Sequence, residues 1–296
     1  MNSGVRALNP TRRSSGVSWR PWLGVLAILV LMFSAAGCAK LKARDQLNKG
    51  VQSFKNSRFE EAIEHFKNAT SLDPGLKNAR MYLATAYANL YIPGAETEEN
   101  RRMADSAIEE YKRVLVQEPD NMNAIKGIAK LFMHMKNFDQ AKQYYQTAAK
   151  VTPNDPDNYF AIAWIDFNTA YNFRQEQRSR LKLKPGDPLK DKLVCSAVKT
   201  ANQSRVEEGL GMLQKALQVR PDYDDAMNYM NLLYRERADY QCDDPKARSA
   251  DTMAAIEWQD KAMAIRKARI EKQRQKEGVS GIAADTENKP EGEKKQ

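Results

Sequence analysis

Three cysteines and two histidines are the side chains of this 296-residue chain best suited to chemistry, and their placing narrows what that chemistry is. His65 and His134 lie far apart, and no cysteine neighbours either at a metal-ligand spacing. Asp243 and Asp244 follow Cys242, but ahead of Pro245 an acidic pair reads as a turn and helix cap rather than a cation site. There is no glycine-rich phosphate loop and no nucleophile signature. The sequence therefore predicts no enzyme, no cofactor and no metal. Cys38 is placed unlike the other two cysteines. Residues 1–20 carry Arg6, Arg12, Arg13 and Arg20 and no acid, residues 22–33 (WLGVLAILVLMF) are apolar without a break, and SAAG then leads into Cys38. Basic, then apolar, then small is the order of a secretory signal. The apolar run falls short of the roughly 20 residues that span a bilayer. A plain signal anchor with an incidental cysteine is the alternative. The formal charge is +9, and setting aside the four arginines of residues 1–20 leaves a mild +5. Basic and acidic residues alternate as on solvated helices, so nucleic acid is not an expected partner. The basic clusters at 174–184 and 265–276 read first as exposed helix; anionic headgroups or an acidic partner are the alternative.

The elements that hold these residues follow from a pattern that comes round four times. A small residue is followed four positions on by an aromatic or leucine, and eight positions later by proline. The sets are Ala62, Phe66, Pro74; Ala107, Tyr111, Pro119; Ala141, Tyr145, Pro153; and Gly209, Leu213, Pro221. Ala69, Ala148 and Ala216 add a second small residue, with Val114 in the remaining set. Small residues at that spacing let two helices cross closely while the large ones fill the gaps beside them. Each proline stops its helix, because it has no N–H and disfavours helix in the residue before it.

Upstream of these sets stand matching first halves: Leu83, Ala84 and Tyr87; Ile128, Ala129 and Phe132; Tyr159, Ile162 and Ala163; with Gly50 in the first and Met227, Met230 and Tyr234 in the last. Together they resemble the tetratricopeptide repeat of 34 positions, a helix–turn–helix unit that stacks into a solenoid with a concave binding surface. The resemblance covers residues 43 to about 270. It implies an all-α solenoid of about five such repeats, the last two with elongated hairpins. Pro74 to Pro119 is 45 residues, which puts 11 extra in YIPGAETEENRR; Pro153 to Pro221 is 68, two full periods. A doubled hairpin is preferred to a degenerate extra repeat: residues 157–183 and 189–219 read as long helices about the turn signal PGDP at 185–188. DYQCDDP at 239–245 marks a late turn in the last repeat. Cys195 and Cys242 then fall at similar heights on antiparallel helices joined near Pro221, where an oxidising compartment permits a disulfide. Two unpaired, partly buried thiols are the alternative.

Ala-Ala-Gly-Cys at the end of the apolar run resembles a bacterial lipobox, with Ala35 in place of the usual Leu. The resemblance implies cleavage before Cys38 and a lipid on its thiol. Ala39 is not the Asp that retains lipoproteins in the inner membrane, which favours the periplasmic face of the outer membrane. The expected organisation is a signal peptide over 1–37, the lipidated cysteine and a tether over 38–43, the solenoid over 44–275 and a disordered tail over 276–296, rich in Glu, Lys and Gly. In tetratricopeptide families the ligand meets one face of each first helix. That implies a groove of Asn78, Met81, Thr85 and Asn89, then Asn123, Lys126, Lys130 and Met133, then Phe160, Trp164 and Phe167. Asn and Lys suit a peptide backbone or carboxylate, and the aromatics suit an apolar anchor. The alternative is that those aromatics bury against the long hairpin of their own repeat. Leu47 and Val51 stand where a chaperone-type carboxylate clamp has Lys and Asn, so that clamp is not expected. The function expected is a membrane-anchored scaffold that binds a protein or peptide while an envelope or secretion complex assembles. The alternative is a regulatory adaptor for a cell-wall enzyme or protease.

Overall fold

The computed structural model describes residues 20–184, 187 and 189–287, with residues 20–37 and 276–287 described as backbone only. Ten α-helices and no strand occur among the described residues. Two compact units divide the chain, Met1–Ala86 and Tyr87–Gln296.

The first unit contains α1 (Arg20–Lys55), α2 (Phe59–Leu72) and the start of α3 (Lys77–Leu90). Its core shows the small-beside-large rule directly. A Cβ on Gly50 would lie 2.5 Å from the ring of Phe66, so α1 carries no side chain where α2 lays its aromatic. Phe66 stacks on Tyr82 with centroids 5.5 Å apart, and Ala62 and Ala69 are wholly buried on either side. Residues 38–43, expected as a tether, are the middle of α1, and Ala43 is fully buried. The sequence CAKLKA contains no glycine, proline or β-branched residue, so nothing in it ends a helix. Of the expected signal peptide, residues 1–19 lie outside the described residues and 20–37 continue α1.

The second unit holds α4 (Glu98–Gln117), α5 (Met122–His134), α6 (Phe138–Val151), α7 (Pro156–Arg180), α8 (Lys192–Val219), α9 (Asp224–Asp239) and α10 (Pro245–Glu287). Helices α2, α4, α6 and α8 each end two residues before the proline of the pattern: Leu72, Gln117, Val151 and Val219 precede Pro74, Pro119, Pro153 and Pro221. Four of the five turns between paired helices use a left-handed residue. Ser57, Lys136 and Lys182 have φ near +55°, and Gly94 has φ 85°. Beyond each of the three non-glycine positions the next N–H reaches back five residues, Asn137 N to Phe132 O at 2.8 Å for example, which closes a Schellman motif. Asn121, Asn137, Asp155 and Asp191 cap the helices that follow them, and Asp244 accepts from Ala247 N at the start of α10 as the sequence suggests. The insertion in repeat two becomes a loop pinned by buried Asn100, whose amide bonds both backbone groups of Ile92 and the carbonyl of Ala95.

Helices α7 and α8 form the one long hairpin expected between Pro153 and Pro221, with no degenerate repeat between them. They run for 25 and 28 residues, about 38 and 42 Å. Leu210, Leu213 and Val206 of α8 pack with Ala163 and Ala170 of α7 and with Met230 and Leu233 of α9. A Cβ on Gly209 would come within 2.8 Å of Leu233. At the hairpin tip buried Arg178 donates to the carbonyls of Lys184 and Asp187. In the last pair the extra length lies in α10, 43 residues against 16 in α9. Helix α10 carries on through 276–287, where the sequence predicts disorder, and residues 288–296 lie outside the described residues. Among the described residues no helix is long and apolar enough to cross a membrane.

Candidate functional site

The face of α7 is built by spacing. Phe160, Trp164, Phe167 and Tyr171 recur at intervals of four, three and four residues, which keeps them on one side of the helix. All but Tyr171 are half-buried, and Tyr171 is 38% exposed. What holds them is α9. Tyr229 sits edge-on to both Phe160 and Phe167, with centroids 5.2 and 5.4 Å away and planes at 86° and 90°. Tyr223, before α9, leans on Phe160 at 5.3 Å, and Phe138 of α6 meets Trp164 edge-on at 5.9 Å. Burial pushes the Tyr229 phenol above its usual range, against a hydrogen bond with Trp164 that lowers it. Burial also raises Tyr223, and so does its hydrogen bond to Asp157. The result is a partly open apolar surface of rings packed edge-on against one another. Beyond Tyr171 it meets a polar cavity of about 470 Å³ beside Arg174 and Arg178. The Arg174 guanidinium is taken up by Glu236 and Asp239, at 2.8 and 2.9 Å.

The other expected groove residues are distributed over both units. In the first, Asn78 is exposed while Met81 and Thr85 are half-buried, and the Thr85 hydroxyl donates to the Met81 carbonyl at 2.9 Å. In the second, Asn89, Asn123 and Lys130 are exposed and Met133 is half-buried. Lys126 is ion-paired with Asp155, the residue whose other oxygen caps α7, so its charge is engaged within the fold. Lys130 makes no ion pair among the described residues, and with Asn123 it stands exposed on α5. Sequence reasoning missed Tyr171, Tyr223 and Tyr229. Tyr171 extends the four-and-three spacing already visible in α7, a signal available in the sequence. Tyr229 carries no such signal, because only the packing of α9 on α7 brings it there.

Cys195, at the start of α8, and Cys242, in the turn between α9 and α10, are brought together with α-carbons 6.4 Å apart. That lies inside the span a disulfide bridges. Cys38 is exposed. No group of three or more His, Cys, Asp or Glu positioned to hold a metal occurs among the described residues.

A family model described as tetratricopeptide repeat matches residues 101–163. The chain is 27% identical over 121 residues to DnaJ homolog subfamily C member 3 of Bos taurus, a match that covers 40% of this chain and 23% of that protein. Among solved structures it resembles a MamA protein, with a TM-score of 0.51 at 14% identity over 78% of this chain and 94% of that one. It also resembles residues 41 to the end of MamA from Desulfovibrio magneticus RS-1, with a TM-score of 0.50 at 14% identity over 77% and 96%. Those likenesses rest on the fold alone. Residues 101–163 are tetratricopeptide repeat sequence, and the chain has the all-α fold of a tetratricopeptide solenoid.

Proposed function

We propose that this chain is a lipid-anchored binding scaffold of the bacterial envelope, fixed through Cys38 to the periplasmic face of the outer membrane and gripping a peptide segment of a partner while an envelope or secretion complex assembles. Tetratricopeptide proteins mediate protein–protein interactions, and their ligands are held along one helix face of successive repeats. The observation that carries the reading here is the α7 surface. Phe160, Trp164 and Phe167 are half-buried and fixed edge-on by Tyr229 and Phe138, so an arriving side chain meets rings whose rotamers are already set. Such preorganisation lowers the entropy lost on binding, and aromatic anchors dominate interface energies. Exposed Asn123 and Lys130 on α5 supply donors for a peptide backbone or carboxylate. The anchor rests on the basic, apolar and small-residue order that ends at Cys38.

The test is Trp164→Ala in the full chain. Recovery of the partner on affinity purification from detergent-solubilised envelope should fall by the equivalent of about 2 kcal/mol or more, with the helical circular dichroism signal retained. If recovery is unchanged and the melting temperature drops, Trp164 is core and the α7 face is not the site.

A further inference from the structure

The outer side of α10 is an exposed apolar seam. Met253, Ile256, Met263 and Ile270 are 57%, 49%, 54% and 46% exposed, the largest set of exposed large apolar residues on any one helix among the described residues. With Asp260, Lys267 and Arg274 they recur at alternating intervals of three and four, which places all seven on one stripe of the helix. The opposite side of α10 is committed: Ala255 and Ala262 are buried, and Asn231 of α9 bonds the Ala255 carbonyl at 2.6 Å. Elsewhere in the second unit the second helix of a pair is covered by the first helix of the next, α4 by α5, α6 by α7 and α8 by α9. Helix α10 has no such cover among the described residues. A solenoid's terminal repeat ordinarily turns a polar face outward, and this one does not.

The order of charges along the seam says what covers it. Ile256 and Ile270 lie seven residues to either side of Met263. Asp260 and Lys267 lie three before and four after it, and neither makes an ion pair among the described residues. A second α10 laid antiparallel, with Met263 at the dyad, sets Ile256 against the partner's Ile270 and brings Asp260 to within one residue's rise, about 1.5 Å along the axis, of the partner's Lys267. Two-fold symmetry makes each contact twice. The parallel alternative sets Asp260 on Asp260 and Lys267 on Lys267, which opposes like charges in the seam. We infer that α10 is a self-association surface, and that the occupant of the seam is α10 of a second copy in antiparallel register. The contact from Met253 to Arg274 spans about 32 Å of helix.

The test is oxidative crosslinking of the full-length chain carrying Met263→Cys in cells, read as a disulfide-linked dimer on a non-reducing gel. The parent chain and Ala268→Cys, on another side of α10, are the controls. The dimer is expected from Met263→Cys and not from either control. Adding Lys267→Glu should cut its yield about tenfold, since each charge then faces its like on both sides of the dyad, and adding Asp260→Lys as well should restore it. Circular dichroism of each purified variant confirms that the helices persist. With helicity intact, no dimer from Met263→Cys overturns the inference. So does an equal dimer from Ala268→Cys, an adduct with a different protein, protection by lipid without a dimer, or failure of the double charge exchange to restore the yield.

Discussion

Asp166 carries a carboxylate to a place that water scarcely reaches. It is 1% exposed; one oxygen accepts from Lys142, which Glu208 also holds at 2.9 Å, and the other oxygen has no hydrogen-bond partner among the described residues. Burial is the larger effect and pushes its pKa up to about 6, against the lowering by Lys142. Lys142 itself is shifted upward, where burial opposes the charge and its two carboxylate partners outweigh it. Asp166 is held toward its neutral form, because the acid is sealed in with an unbonded oxygen whereas the lysine side chain reaches solvent. An acid whose folded pKa is raised stabilises the fold in full below its unfolded value, and that contribution is lost as pH rises through about 6. Asp166→Asn removes the titration. Between about pH 5 and about pH 7.5 the variant should gain about 1 kcal/mol relative to the parent, measured by urea unfolding at both values. At the same scale, Lys136 holds φ 58° without being glycine. Lys136→Gly should raise stability by about 1 kcal/mol, because the left-handed conformation costs a side-chain-bearing residue that much. A lower urea midpoint for that variant would show that the Lys136 side chain contributes more than its backbone costs.

Among the elements, those with a steric cause were the ones legible in the sequence. The prolines at 74, 119, 153 and 221 fix four helix ends to the residue, and the small positions Ala62, Ala107, Ala141 and Gly209 are where the helices cross. Gly209→Val should cost about 1–3 kcal/mol by overpacking against Leu233, read as a lower melting temperature. The doubled hairpin was legible too, from two full periods between Pro153 and Pro221 with the turn signal PGDP between two long stretches that read as helix. Where a boundary depended on the absence of a signal, the sequence spoke less clearly. Residues 38–43 and 276–287 look polar and open, yet they contain enough helix-forming residues to continue α1 and α10. Of the candidate site, Phe160, Trp164 and Phe167 were legible only as what the tetratricopeptide resemblance implies. Their clamp by Tyr229 and the capture of Lys126 by Asp155 were not legible, because both depend on which helix packs beside which. The pairing of Cys195 with Cys242 belongs to this scale as well, since it ties the start of α8 to the turn after α9. A bridge there closes a long loop and is expected to contribute about 4 kcal/mol. Neither thiol of the protein isolated without reductant should react with maleimide until it is reduced, and reduction should lower the melting temperature. Reaction of both thiols without reductant would mean that the bridge does not form.

For the molecule as a whole, the proposal joins an anchor to a binding face. Several acyl chains hold a protein firmly where one holds it weakly, so Cys38→Ser should abolish palmitate incorporation and leave the leader uncleaved; normal labelling of that variant would remove the anchor from the account. The binding face is tested most directly by site-specific photocrosslinking in living cells, with the full chain carrying a photoreactive residue in place of Tyr171, the exposed end of the α7 stripe. The same residue in place of exposed Arg205 on α8 serves as the control. The account predicts a discrete protein adduct from position 171, lost when Trp164→Ala is added, and none from position 205. No adduct from 171 in a chain that is folded and correctly placed, or the same adduct from both positions, would contradict it.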